Sequence, residues 1–445
     1  MKLVRAAGRT IAICGAVAAL LYIAVVLVNG TRTALSSSRA EPTLSAAERE
    51  SLVVRGRQIF RYDTFGDQTF WGGALQLHKA IEGKALGGVG SGVSPKVALA
   101  VGLKVDSAKI PRPVAAAIRA GKVNLNSPKS RLALLKLDAV VGVRGFFNGG
   151  RLSSVGITCA VCHSTVDNSF APGSGRRLDG WPNRDLNVGA VIGLAPNKKP
   201  ITDLLQVDEA TVDKVLASWG PGKFDAELFL DGKAFRPDGS SAATLIPAAF
   251  GLAGVNLHTY TGWGSIPYWN AFVANLEMHG IGNFDDERLA NAQQFPVAAR
   301  AGFAHVRHAR DLITPKLPAL HMYQLSLPVP HARRVNRAAA RRGKALFDGK
   351  ARCAGCHMPP EFTDAGWNLH KGSEICIDDF QADRSPTLRY RTTPLRGIVA
   401  KQKGGFYHDG RFPTLRAVVD HYDTCFGLGL TGREKTDLVQ YLRGL

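Results

Sequence analysis

Polar and apolar positions along the chain sort into one long apolar run, a few amphipathic stretches and much irregular chain between them. Ile11 to Val28 is apolar throughout, and Lys2, Arg5 and Arg9 precede it. Eighteen such residues just reach the length of a bilayer-crossing helix. The basic flank predicts the N-terminus inside and everything beyond about Asn29 outside. A cleaved signal peptide is the competing reading, because Ser38-Arg39-Ala40 is a weak small-residue cleavage site. The run is long for a signal, so the expectation is an uncleaved anchor over residues 1–29, followed by a Ser/Thr/Ala/Arg-rich linker over 30–50. Cys14 lies inside the run, which continues past it, so it does not read as a lipidation site.

Beyond the linker the apolar spacing is helical in short pieces. Ser45 with Glu48 three residues on is a capping-box pattern that opens a helix. Ala133 to Val143, Asp208 to Ser218, Asn336 to Phe347 and Thr414 to Phe426 are further expected helices. Residues 83–95 are Gly-rich; a phosphate-cradling loop would end in Gly-Lys-Ser/Thr, which is missing, so they read as a plain loop. The span 165–260, rich in Gly, Pro and Asn, suits long loops wrapped around something. Pro315, Pro318, Pro328 and Pro330 mark a linker. No strand alternation is sustained, so the expected class is mainly α. Residues 51–332 would form a helical N-terminal extension and a first domain, and 333–445 a second.

Composition adds charge and cysteines. The chain has 445 residues, 45% hydrophobic, with 56 Lys+Arg against 36 Asp+Glu, a balance of +20. That much chain at ordinary apolar content supports sizeable cores and excludes disordered, collagenous and multi-span membrane classes. Export makes nucleic acid an improbable partner in spite of the charge. What remains is a solvated basic surface, or one that steers an acidic redox partner or meets anionic lipid headgroups.

Cys159-Ala-Val-Cys162-His163 and Cys353-Ala-Gly-Cys356-His357 are one pattern written twice. Two thiols one turn apart, followed at once by an imidazole, form the c-type haem attachment pattern. The thiols take the haem vinyl groups and the His reaches the iron. A zinc site from two Cys-x-x-Cys pairs is the alternative, but zinc does not require a His after each second Cys. Two covalently attached haem c groups are therefore expected. Cys376 and Cys425 remain; in an oxidising compartment they read most simply as a disulfide, with two separate buried thiols as the alternative. Four Met are present. Met1 is terminal and Met358 adjoins His357, so Met278 and Met322 are the thioether candidates, and His/Met ligation of both haems would need both.

The run Thr393-Pro394-Leu395-Arg396-Gly397, then Gly405-Phe406-Tyr407-His408-Asp409-Gly410-Arg411-Phe412-Pro413-Thr414-Leu415 and Val419-Asp420-His421-Tyr422, resembles the bacterial di-haem cytochrome c peroxidase superfamily. That superfamily includes the di-haem enzyme maturing methylamine dehydrogenase and, more distantly, the di-haem rubber oxygenases. The resemblance covers roughly residues 155–445 and implies two cytochrome-c-like haem domains facing each other. It implies electrons passing from the C-terminal haem to an open N-terminal haem that reduces peroxide or activates oxygen. A non-catalytic electron carrier and a dioxygenase of a hydrophobic substrate are the alternatives.

The resemblance also implies roles for residues. The position 14 after His408, a distal ligand of the C-terminal haem in that family, is Tyr422. His421 is its rival, and neighbours on a helix point about 100° apart, so only one can face the iron. His408 would support rather than ligate. Where the peroxidases carry a removable distal His for the N-terminal haem, this chain reads Arg177 to Arg184 with no His. An open face follows, with His258 and His279 as substitutes. Trp263, with Trp269 second, is the candidate bridge between haems; the alternative is a core Trp anchored through its indole N–H. Glu277 is the candidate acid/base, against a surface salt-bridge role. Calcium is a family feature, with Asn187 and Thr392 as its candidates.

Overall fold

The computed structural model describes residues 44–331 and 334–445. The expected anchor lies outside the described residues; among those described, no helix is long and apolar enough to cross a membrane. Ser51–Leu445 forms one compact unit.

Helix α1 (Ala46–Tyr62) begins where the capping box predicts. Ser45 Oγ accepts from the Glu48 N–H at 3.2 Å and Glu48 Oε2 accepts from the Ser45 N–H at 2.7 Å. Helix α2 (Pro128–Lys136) stops well short of the expected Val143. The chain instead turns into a hairpin of β1 (Val143–Asn148) and β2 (Arg151–Ile157). Its tip, Gly149-Gly150, holds both residues at positive φ, a two-residue turn that matches strand twist. The early stop goes with a close contact to a distant part of the chain. Gly142 sits at φ +76°, and a Cβ there would lie 2.1 Å from the Val161 nitrogen. The hairpin is thus pressed directly onto the short helix α3 (Ala160–His163) that carries the first Cys-x-x-Cys-His motif.

Helix α4 (Glu209–Trp219) is capped by Asp208, which accepts from the Thr211 N–H at 2.8 Å. Helix α5 (Ile266–Phe272) runs into a widened π-type turn, Val273–Glu277, a distortion often found at functional sites. The proline-marked linker is not all linker: helix α6 (Leu317–Ser326) lies within it, with Pro318 in its first turn. There a missing N–H costs nothing and the fixed φ suits the helix.

The last helices are α7 (Arg337–Asp348), α8 (Leu415–Phe426) and α9 (Gly432–Gly444). Gly343 lets α7 touch α9, since a Cβ there would meet the Asp437 carbonyl oxygen at 2.1 Å. Around this crossing Phe347, Leu415, Val419, Leu438 and Leu442 close an apolar core against which Cys353 packs. Among the described residues the strands form five two-stranded pairs and no larger sheet. The fold is mainly α, as expected.

Candidate functional site

Both Cys-x-x-Cys-His motifs sit on short turns held in the same way. His163 Nδ1 lies 3.1 Å from the Pro247 carbonyl oxygen, and His357 Nδ1 lies 2.9 Å from that of Phe362. A carbonyl only accepts, so each Nδ1 carries the proton and each Nε2 keeps its lone pair. This is the orienting bond that metal-ligating histidines usually make. Burial lowers both pKa values, that of His163 to about 4, which keeps the rings neutral and able to ligate.

All four thiols are free. Burial pushes those of Cys159 and Cys162 up to about 12 and that of Cys353 to about 11. Among the described residues no metal-binding cluster unites the two pairs, so a shared zinc site is not formed. Cys356, Asp364 and His370 do bring ligand atoms within 4.8 Å of one another. His370 is nonetheless already held between Asp364 at 2.9 Å and Glu374 at 3.0 Å.

The second motif opens on a cavity of about 400 Å3. Cys353, Cys356 and His357 line it, and so do Val418, Val419, Tyr422 and Phe426 of α8. Size and apolar lining suit a large planar cofactor. The free thiols and the oriented His suit haem c in particular. Tyr422 is deep in this wall, its pKa pushed up to about 12 by burial. His421 turns elsewhere, donating from Nε2 to the Ile375 carbonyl at 2.8 Å and packing on Phe412. Neither Met278 nor Met322 is among the lining residues. His408 lines the cavity with its ring stacked on Tyr390 and its Nε2 without a hydrogen bond, 3.8 Å from the Asp409 carboxylate. Helix α8 is pinned at both ends: Thr414 caps it, accepting from the Ala417 N–H at 3.1 Å, and Cys425 is disulfide-bonded to Cys376. The remaining cysteine pair is therefore bridged.

Around the first motif, Cys159, Cys162, His163, Glu277 and His279 are each partly accessible although deep inside the protein. Glu277 is close enough to raise the pKa of Cys162. Its own pKa is pushed up to about 8 by burial and by Glu227, and it makes no ion pair among the described residues, so it is no surface salt-bridge partner. His279, at φ +58°, stacks on Phe70 at 3.6 Å.

The stretch that lacks a His is committed to structure. Arg177 pairs with Asp106 at 3.3 Å, and Asp179 accepts from Arg61 at 2.6 Å and from Ser164 at 2.8 Å. His258 must be reassigned. It lines the cavity of the second motif, not the first, and its Nε2 donates to the Val255 carbonyl at 2.9 Å.

Trp263 is buried in an aromatic cluster with Trp269 at 5.2 Å, Phe272 at 5.8 Å and Phe295 at 6.1 Å. Its indole N–H has no hydrogen-bond partner, so no such bond anchors it. The cluster extends from the segment whose His258 and Tyr260 line the cavity to Leu276, next to Glu277. A second connection was not legible in the sequence. Pro247 lines the cavity of the second motif and accepts the hydrogen bond from His163 of the first. Asn187 uses its side-chain oxygen to cap the helix Val188–Gly193, accepting from the Ala190 N–H at 2.9 Å. Thr392 lines the cavity, its carbonyl accepting from the Thr363 hydroxyl at 2.5 Å.

A c-type cytochrome is the class of protein to which these two motifs and the helix-rich fold point. No protein-family model matches the chain. A methylamine utilization protein, MauG, of Methylorubrum extorquens is 35% identical over 124 residues, which is 24% of this chain. The match spans about a third, 35%, of that relative's length. It bears out the resemblance to the di-haem cytochrome c peroxidase superfamily and its methylamine dehydrogenase maturation enzyme. Among solved structures, a MauG-like protein associated with microbial copper homeostasis is 18% identical, covering 49% of this chain and 76% of that one, at a TM-score of 0.32. Hydrazine synthase of Kuenenia stuttgartiensis is 16% identical, covering 49% and 86%, at a TM-score of 0.30. Likenesses this distant carry no weight for fold or function.

Proposed function

We propose that this chain is a periplasmic di-haem c-type oxidoreductase, held at the inner membrane by the apolar run Ile11 to Val28, in which electrons pass from the C-terminal to the N-terminal site for peroxide reduction or oxygen activation. The observation that carries the reading is the pair of Cys-x-x-Cys-His turns, each with its His Nδ1 bound to a backbone carbonyl and its Nε2 free. Haem bound there supplies one-electron redox chemistry and, where an axial position is open, a place for peroxide or oxygen.

The residues divide the work. Cys159 and Cys162, and Cys353 and Cys356, attach the two cofactors, with His163 and His357 as proximal ligands. Tyr422, on the wall of the same cavity, would supply a further ligand to the C-terminal cofactor. Glu277 holds a proton beside Cys162; with its pKa near 8 it is protonated at neutral pH and can deliver that proton. Pro247 and the Trp263 cluster connect the sites. Calcium is retained only as a further cofactor proposal, since Asn187 spends its side-chain oxygen on a helix cap. An acidic redox partner suits the +20 balance.

The resting ferric protein tests the reading through its absorption and EPR spectra. One high-spin and one low-spin haem are expected. Two low-spin haems that bind neither cyanide nor CO would make the chain an electron carrier without catalysis. Peroxide-dependent oxidation of a reduced cytochrome, set against oxygen uptake on a polymeric alkene, then separates peroxidase from dioxygenase.

A further inference from the structure

Three cations meet on the wall of the C-terminal cavity without an ion-pair partner among the described residues. Arg184, Arg391 and Lys401 all line it. Each makes one bond to a backbone carbonyl: Arg184 to Lys403 at 3.2 Å, Arg391 to Leu257 at 2.8 Å and Lys401 to Pro394 at 2.7 Å. The Nε atoms of Arg184 and Arg391 are buried with no partner. The carboxylate on the same wall, Glu374, is already engaged by His370 and by the Lys371 N–H, each at 3.0 Å.

Buried charge left uncompensated is among the costliest features a fold can carry. Here the cost shows in the side chains themselves. Burial lowers the pKa of Arg391 to about 10, and burial with repulsion from Arg391 and Arg184 lowers that of Lys401 to about 7. Carbonyl bonds do not neutralise a cation. The arrangement is therefore completed by an anionic group in the cavity.

We propose that Arg184, Arg391 and Lys401 form a cradle for the two carboxylates of the tetrapyrrole at the C-terminal site, and that this cradle raises its reduction potential. The inference rests on the proposed haem attachment at Cys353 and Cys356. With the carboxylates in place Lys401 regains its full charge, and three cations exceed two carboxylates by one positive charge. A ferric iron carries one more positive charge than a ferrous one, so that surplus favours the ferrous state. Removing a cation favours the ferric state and lowers the potential.

The test uses the haem-loaded full chain, its attachment at Cys353 and Cys356 verified by mass spectrometry, in a spectroelectrochemical redox titration. Lys401→Met and Arg391→Gln are each expected to lower the C-terminal midpoint enough that the ferrous-to-ferric ratio at a fixed poise falls about tenfold, or about 59 mV for one electron. Arg391→Lys, which keeps the charge, is expected to retain most of the wild-type potential. Lys401→Met serves if Arg391→Gln does not fold. Covalent haem present with an unmoved midpoint overturns the cradle alone. Absence of covalent haem at Cys353 and Cys356 overturns the proposed function and the cradle with it.

Discussion

Two adjacent side chains on α8 separate cleanly by what each already touches. Tyr422 faces the cavity, while His421 gives its Nε2 N–H to the Ile375 carbonyl. Tyr422→Phe is expected to perturb the low-spin haem signal, and His421→Gln to leave it in place; the reverse pattern in EPR would show the ligand to be His421. Glu277 provides a second residue-level expectation. Its folded pKa, near 8, lies above the ordinary 4.5, so the proton it offers is present below pH 8 and lost above it. Peroxide turnover should fall through an apparent pKa near 8, and Glu277→Gln should both lower turnover and abolish that limb of the pH profile. The two Cys-x-x-Cys-His turns were legible because the motif is contiguous and the chemistry it suits is set by spacing. The place of Tyr422 in the cavity wall was legible only through the family resemblance, as the position 14 after His408. Arg391 and Lys401 were not, because an isolated basic residue reads as solvated surface until the fold shows it turned inward.

At the scale of elements, position is set by closures at helix ends. The Cys376–Cys425 bond closes a sequence separation of 49 residues and holds the end of α8 that carries Tyr422. Restricting an unfolded loop of that length is worth about 2–4 kcal/mol. Replacing both cysteines by Ser should lower stability by that order in denaturant titrations and broaden the low-spin signal, because α8 would fray toward Tyr422. The hairpin offers the opposite case, an element the apolar pattern concealed. Ala133 to Val143 reads as one helix because its aliphatic residues satisfy either period. What ends the helix is a contact with Val161, far along the chain, that only Gly142 permits. Gly142→Ala meets both a positive φ and a backbone atom at 2.1 Å, so haem attachment at Cys159 and Cys162 should drop while attachment at Cys353 and Cys356 persists. Mass spectrometry of tryptic haem peptides reads the two sites separately. Loss at both would mean that the glycine serves the whole fold rather than the first motif.

Over the whole molecule, the N-terminal and C-terminal sites are held together by few but deeply buried ties. Pro247 touches both, and Arg384, inside the loop that the disulfide closes, fastens that loop to residues 225–231. Its guanidinium lies 2.9 Å from Asp225 and 2.8 Å from Asp231, with all three side chains fully buried. Burial holds the pKa of Asp225 up near 7 even against that guanidinium. Removing one member of such a network leaves the others charged and unpaired, a loss of about 3–5 kcal/mol. Arg384→Met should therefore cost more than the disulfide does. Its loss should also depend on pH. In the variant Asp225, which burial already holds near 7, loses the guanidinium that opposes burial and takes up a proton on folding, so stability is greatest at low pH and is lost as pH rises from the ordinary carboxylate range through the raised folded value. Urea titrations at pH 5 and pH 8 should show the variant's deficit growing with pH. A deficit equal at both would mean that the two carboxylates find other partners, and that Arg384 acts through packing alone.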